Sequence, residues 1–304
     1  MIDDKKPTVT VSVTTYNSAK YVAETLESIK NQSYPNLILQ ISDDCSTDNT
    51  IDICKSWINK NKDRFVKTKI IVPESNTGVT GNCNRAWDAC ETRYFKGIAG
   101  DDLLLPYCIE KNMQYVTQHP EAIFVFSKIQ VFGADEKRNL IIEKMFDYSC
   151  FKMTPEEQLN RLLNGNNFIP ASTAFVNIDK VREINLRHDI RIPNLEDLPK
   201  WVNALRLKVK FHFMDTQTVK YRIHNNSLST SNILSPRFHE QLDLFWLYYT
   251  FDDLYKKDPD EAIKMAVKRN SYFYKQWYNL ATSKRVMLAS RIVEWINKLL
   301  FWKK

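Results

Sequence analysis

Residues 9–50, "VTVSVTTYNSAKYVAETLESIKNQSYPNLILQISDDCSTDNT", place one helix signal between two strand signals. Val9 to Thr15 alternate valine with small polar residues, the period-2 pattern of a strand. Val22, Leu26 and Ile29 then share one stripe of a helix for which Ser18 is the expected cap, and Leu37 to Ser42 read as a second strand. The same alternation continues beyond this stretch. Ser46 or Thr47 is expected to cap a helix carrying Ile51, Cys54 and Ile58, followed by a strand "TKIIV" (68–72) and a polar loop "PESNTG". A helix near Thr80 to Cys90, a strand "YFKGIA", the segment "GDDLLLP", a helix ending near His119 and the run "AIFVFSKIQVF" complete the series. Repeated βα alternation predicts an α/β fold with a mostly parallel, twisted sheet flanked by helices. Ligands of such sheets bind at the carboxyl ends of the strands.

Those ends collect acids and an aromatic ring. The first strand runs out into Thr14, Thr15, Tyr16 and Asn17, the second into Asp43 and Asp44, the fourth into Asp101 and Asp102. Singly, Asp43 and Asp44 read as turn residues, Asp48 as a cap, and Asp101 or Asp102 as a cap for the helix after Pro106. Jointly, several carboxylates on one edge repel one another, and a bound cation is the usual remedy. The six glycines never form G-x-G-x-x-G and no G-K-[ST] occurs, so a diphosphate would not be cradled by glycine amides. A divalent metal held by acids is the remaining way to screen it.

Composition narrows the setting. Apolar residues are 43% and charged residues 26% of the 304, an ordinary globular balance. Six cysteines without a C-x-x-C pair suggest reduced thiols rather than a zinc site or a disulfide framework. No run approaches the ~18–20 apolar residues of a membrane span, and "MIDDKKPTVT" lacks the apolar core of a signal peptide, so a cytoplasmic protein is expected. The net charge of +7 is concentrated at one end: ten Lys or Arg against two Glu lie between Glu261 and Lys304, leaving about −1 for the first 260 residues. A nucleic-acid partner would want the basic face on the folded domain itself, so none is expected.

The ordered set "VSVTTYNSAKYVAETLESIKNQSYPNLILQISDDCSTDNT", "NTGVTGNCNRA", "GIAGDDLLLP", "NLEDLPKW" and "YRIHNNSLS" resembles the family 2 inverting glycosyltransferases of the GT-A fold, of the bacterial polysaccharide type, over about residues 7–230. The resemblance implies a nucleotide-sugar donor, a UDP-sugar, and Mn²⁺ or Mg²⁺. It further implies a glycan or lipid-linked saccharide acceptor. Thr14 and Tyr16 match positions that contact the nucleoside, and Asp44 the acid that reads the uracil edge. Asp101 and Asp102 match the D-x-D-type acids, the first favouring the ribose and the second the metal. Asn76, Gly78 and Arg85 fall in the segment usually written N-x-G-x-x-x-A-R-N, with Arg85 matching a diphosphate contact. Cys45 stands where family members often have Gly. "KYRIHNNSLST" (220–230) puts Arg222 and His224 at alternate positions, which in the family lie near the diphosphate or the metal.

The decapeptide "NLEDLPKWVN" (194–203) taken alone is a helix start whose acids favour the dipole. The resemblance instead makes Asp197 similar to the catalytic base that deprotonates the acceptor hydroxyl, with Glu196 orienting the loop or contacting the donor sugar. The implied organisation is a GT-A domain over 1–232, with a nucleotide-binding half at about 7–133 and an acceptor half at about 134–232. Residues 134–168 read as a helical insertion of the acceptor half. A helical extension covers 233–304. Within it, Met287, Leu288, Ile292, Trp295, Ile296 and Leu299 share one helical face amid Lys and Arg. Two readings of this tail stand open: docking at an anionic membrane surface, on the inner face of the cell membrane, and packing on the domain or in a homo-oligomer. Two other functions stay beside the transferase at this point, a sugar nucleotidyltransferase that releases pyrophosphate and a non-catalytic nucleotide-sugar-binding or tethering subunit.

Overall fold

The computed structural model describes residues 6–144, 146–164, 166–224 and 236–266. The chain forms two compact units, Met1–Phe245 and Trp246–Lys304.

In the first unit, strand β1 (Val9–Thr15) is followed by α1 (Val22–Lys30), β2 (Leu37–Asp43), α2 (Thr50–Asn61), β3 (Lys67–Ile71), α3 (Gly78–Asp88) and β4 (Tyr94–Ala99). Next come a short β5 (Leu103–Leu104), α4 (Cys108–Gln118) and β6 (Phe124–Phe132), then α5 (Glu136–Lys144) and α6 (Pro155–Leu163). The remainder is β7 (Phe175–Asn177), α7 (Ile178–Glu183), α8 (Asp197–Arg206), the long β8 (Phe211–Arg222) and α9 (Pro236–Phe245).

The eight strands among the described residues join one sheet in the order β3-β2-β1-β4-β7-β6-β8-β5. The half β3-β2-β1-β4 is parallel throughout, as the alternation predicts. The other half is mixed: β7 runs antiparallel to both β4 and β6, β8 is parallel to β6, and β5 is antiparallel to β8. Mixed pairing arises here because β7 is a three-residue strand reached through the α5–α6 insertion rather than by a simple crossover.

Chain order reverses at β1, with β2 on one side and β4 on the other, so the crevice of the fold opens beyond the carboxyl end of β1. Val9, Val11 and Val13 point into the main core with Leu26 and Ile29 of α1. The opposite face of the same strands is small and polar because α3 packs closely on it. Gln40 donates to Ser12 Oγ (3.0 Å) and to the Ala86 carbonyl (2.8 Å), and Ser42 donates to Asn82 Oδ1 (2.6 Å). These side chains are buried, and the bonds they make offset part of their desolvation.

The caps differ from the sequence expectation. Helix α1 starts at Val22 without a side-chain cap; the Ser18 carbonyl accepts from Tyr21 N and Val22 N, while Ser18 N itself donates to Thr50 Oγ1. Ser46 and Thr47 do not cap α2, which starts at Thr50. Asn49 holds the N-cap position without a side-chain bond, Asp48 just before it accepts from Thr50 N at 3.0 Å, and Ser46 and Thr47 are drawn to Asp43 and Asn17 instead. In the insertion, "TPEE" forms a full capping box at the start of α6 between Thr154 and Glu157.

The described part of the second unit consists of a π-helical turn (Trp246–Phe251), α10 (Asp252–Lys257) and helical residues 259–266. Phe251, Ala262 and Ala266 are buried together, with Trp246, Leu247, Leu254 and Tyr255 packed around them. No described helix is long and apolar enough to cross a membrane. The basic tail 284–304 lies outside the described residues.

Candidate active site

Four loops meet at the carboxyl edge around β1: those after β1, β2, β4 and β8. The β1 and β4 loops nearly touch. A Cβ at Gly100 would stand 2.8 Å from Thr15 Cγ2, so only glycine admits this approach, and it sets Asp101 beside the end of β1. Tyr16 leaves half its surface exposed, whereas Thr14, two residues earlier, is partly buried.

The β2 loop divides its two acids by role. Asp43 is fully buried and accepts from Thr15 Oγ1 (2.7 Å), Ser46 N (2.7 Å) and Ser46 Oγ (2.6 Å), which makes it the brace of the turn. Asp44 is also buried, and its carboxylate is held by Thr77 Oγ1 (2.7 Å), Thr77 N (3.1 Å) and Arg85 Nη2 (2.8 Å). Arg85 thus reaches Asp44, and it also donates to Thr77 Oγ1 and Asn82 Oδ1. Asn76 closes the same loop, donating to the Asp44 carbonyl at 3.1 Å and accepting from Gly78 N at 3.2 Å. Gly78 has φ +80° and a Cβ there would meet the Pro193 carbonyl at 2.7 Å. The contact anchors the start of α3 to the segment leading into α8, and Thr80 reinforces it by donating to the carbonyls of Pro193 (N, 3.0 Å) and Ile192 (Oγ1, 2.7 Å).

The β4 and β8 loops form a second cluster, in which Asp101 and Asp102 differ in exposure and partners. Asp102, expected as the metal ligand, is 2% exposed and accepts from Arg222 N at 2.9 Å. Burial, then the neighbouring Asp101 charge, holds its carboxyl well above the ordinary range. Asp101, expected at the ribose, is the accessible acid. Its Oδ2 lies 2.9 Å from His224 Nε2, joining the carboxyl ends of β4 and β8 across 123 residues of chain. Arg222 is fixed behind this pair: Nε donates to the Asp101 carbonyl (2.7 Å), Nη2 to Glu24 Oε2 (2.8 Å), and its guanidinium lies between the rings of Tyr21 and Phe132.

The acidic pair opens α8. Glu196 is its N-cap but makes no side-chain cap bond, and Asp197 is the first helical residue. Asp197 accepts from Asn167 Nδ2 on Oδ2 (2.8 Å) and from Leu198 N on Oδ1 (2.7 Å), so it is not a capping residue in the ordinary sense. Half-buried Glu196 is pushed up to about 7 by desolvation and by the adjacent Asp197 charge, against a smaller opposing pull from Lys200. Lys200, one turn on, is a buried cation. Its Nζ lies 3.0 Å from His188 Nε2 and over the rings of Trp201 and Trp87. Burial keeps His188 well below its usual value, so its ring accepts from the ammonium. On α3, burial raises the Cys83 thiol first, and the charges of Glu196, Asp197 and Asp44 add to it. The acidic pair and the Asp44–Arg85 cluster therefore flank one helix.

Sequence reasoning did not single out Thr77, Asn82, Asn167 or Lys200. Each acts through a partner from another element, a relation that no local pattern encodes.

The chain matches the family described as Glycosyl transferase family 2 over residues 10–183. It belongs to glycosyl transferase family 2. Among its relatives, the UDP-Glc:alpha-D-GlcNAc-diphosphoundecaprenol beta-1,3-glucosyltransferase WfaP of Escherichia coli is 28% identical over 226 residues, which is 73% of this chain and 80% of WfaP. Two solved structures share the fold. S. aureus TarS 1–349 in complex with UDP-GlcNAc superposes with TM-score 0.58 at 20% identity, covering 78% of this chain and 65% of that one. The mannosyltransferase PcManGT of Pyrobaculum calidifontis, in complex with GDP-Man and Mn²⁺, gives TM-score 0.61 at 15% identity, covering 95% of this chain and 80% of that one. The fold is thus that of the GT-A transferases, and the chain is a glycosyltransferase.

Proposed function

We propose that this glycosyltransferase moves a sugar, with inversion, from a UDP-sugar to a hydroxyl of a glycan or lipid-linked acceptor in bacterial surface polysaccharide synthesis, using Mn²⁺ or Mg²⁺. The observation that carries the reading is the Asp101–His224 pair at the carboxyl edge of the sheet. A carboxylate and an imidazole that converge from two strands fit a divalent ion, and the imidazole favours Mn²⁺ over Mg²⁺. Bound there, the ion would screen the donor's diphosphate and stabilise it as a leaving group. Tyr16, with its open ring face, offers a stacking surface for the base. Asp44, Asn76, Thr14 and Arg85 set the shape of the nucleoside end, and Arg222 positions Asp101 through its carbonyl. Asp197, oriented by Asn167 and Leu198 N, takes the acceptor's proton as the hydroxyl attacks the anomeric carbon.

One observation favours a second assignment of the base. Glu196, held up to about 7, sits closer to the operating pH that general bases favour, which would leave Asp197 to orient the acceptor. The names of WfaP and the UDP-GlcNAc complex of TarS support a uridine donor, and the GDP-Man complex of PcManGT makes guanosine the competitor. A lipid-linked acceptor places the work at a membrane surface. The basic, Trp-bearing tail sequence suits docking there, and vesicle flotation with and without residues 284–304 decides it; equal flotation of both forms rejects docking.

Calorimetry tests the donor and metal together. UDP should bind at least tenfold more tightly with Mn²⁺ than with EDTA, and Asp101→Asn should abolish the difference. Equal affinity in both conditions removes the metal from the reading, and tighter binding of GDP moves the donor to the guanosine class.

A further inference from the structure

The opposite edge of the sheet carries a set of side chains that glycosyl transfer does not use. His119 ends α4 immediately after Gln118, Glu121 lies in the turn that leads to β6, and His212 is the second residue of β8. Pairing of β6 with β8 sets Val125 opposite His212 and brings β8's first turn against the α4–β6 connection. His119 Nδ1 and His212 Nε2 stand 3.5 and 3.8 Å from the same oxygen, Glu121 Oε1, and one ligand atom from each residue lies within 4.8 Å of the other two. The three line a cleft of about 510 Å³ with Tyr115 and Lys210.

We propose that His119, Glu121 and His212 form a second metal site, for a zinc-class divalent transition ion. The donor set decides the class: two imidazoles and one carboxylate suit Zn²⁺, Co²⁺ or Ni²⁺, whereas Mg²⁺ prefers oxygen alone. Bonds of ~2.0–2.2 Å at the tetrahedral angle require ligand atoms roughly 3.3–3.6 Å apart, so rotamer adjustments of a few tenths of an ångström to about 1 Å close the set. Three protein ligands leave a fourth position for water or an anion from the cleft.

The surroundings are arranged as an outer shell would be. Tyr115 Oη lies 3.4 Å from His212 Nδ1, on the side of the ring away from Glu121. A proton assigned to Nδ1 faces that hydroxyl, and the Nε2 lone pair is then directed at the carboxylate. A divalent ion between them would take both lone pairs. His212 is buried. His119 and Glu121 are partly exposed, which gives an ion its way in. The site is separate from the donor crevice: ten strand residues, roughly 33 Å at ~3.3 Å each, separate His212 from Arg222 along β8. Its effect is to pin the end of α4 to the start of β8.

The test uses the full chain, stripped with EDTA and then kept in excess Mg²⁺, which occupies oxygen-rich sites. Zn²⁺ is titrated by calorimetry, and Co²⁺ by the visible absorption of a four-coordinate centre. In Asp101→Asn protein, whose donor crevice has lost its carboxylate ligand, one equivalent of each should bind. His119→Asn and Glu121→Gln, both at exposed positions and so without a folding penalty, should each weaken Zn²⁺ by at least tenfold. Tyr115→Phe should weaken it by ~10-fold, the low end for an outer-shell partner, and Asp101→Asn in the other crevice should leave it unchanged. The proposal is overturned if Mg²⁺-saturated protein takes up no Zn²⁺, or if either His119→Asn or Glu121→Gln binds it as the parent does; the trio is then a His–Glu ion-pair cluster.

Discussion

Arg85 Nη2 lies 2.8 Å from Asp44 Oδ1, and both groups are largely withdrawn from water, the carboxylate 3% and the arginine side chain 20% exposed. A buried pair of this kind is worth little in sum, but breaking it strands a charge. Arg85→Ala should therefore lower stability by about 2–3 kcal/mol, less than the full ~3–5 kcal/mol of such cases because Thr77 still donates to Asp44. Asp44→Asn in the same chain should recover most of the loss. Urea unfolding of Arg85→Ala, Asp44→Asn and the double variant checks it, and additive losses would show that the two residues do not act as a pair.

Cys45 has φ +64°, in the left-handed region that costs a side-chain-bearing residue ~1–2 kcal/mol. Glycine there relieves the strain and gives back ~0.5–1 kcal/mol in unfolded-state entropy. Cys45→Gly is thus expected to stabilise the protein by ~0.5–1 kcal/mol, read as a higher denaturation midpoint; a lower midpoint would show that the thiol's packing matters more than the backbone.

The parallel half of the sheet was legible because its signals are local: Val9, Val11 and Val13 alternate, and Val22, Leu26 and Ile29 recur at helical spacing. The cysteine at 45 was legible only as a departure from the family pattern, and the structure supplies its physical meaning. The mixed half was not legible, since β7 has three residues and its partners are distant in sequence. The acids were legible as a group, and their burial was not. "GDD" offers two adjacent carboxylates, and which is open depends on Arg222 N, 120 residues away, capturing Asp102. The opposed histidines at 119 and 212 left no signal, because their convergence is a product of β6–β8 pairing.

Glu196 gives stability a pH dependence of defined sign. Its folded-state carboxyl is raised from 4.5 to about 7, so across that window the folded state binds more protons than the unfolded chain, and stability falls as pH rises. Glu196→Gln removes this penalty. The variant should match the parent near pH 4.5 and exceed it by on the order of 1–3 kcal/mol above pH 7. Unfolding measured at pH 4.5 and pH 8 checks it, and a gap of the same size at both would assign the effect to packing.

The central claim is that a carboxylate at the start of α8 removes the acceptor's proton, and Asp197→Asn tests it most directly. Asparagine keeps the size and can still accept from Leu198 N, but it cannot take up a proton. UDP release in the presence of acceptor should fall by ~10²–10⁴-fold while Mn²⁺-dependent UDP affinity and melting temperature stay at parent values. Turnover near the parent's in Asp197→Asn, together with collapse in Glu196→Gln, would move the base by one residue; turnover near the parent's in both would contradict the account and leave this stretch as a helix start.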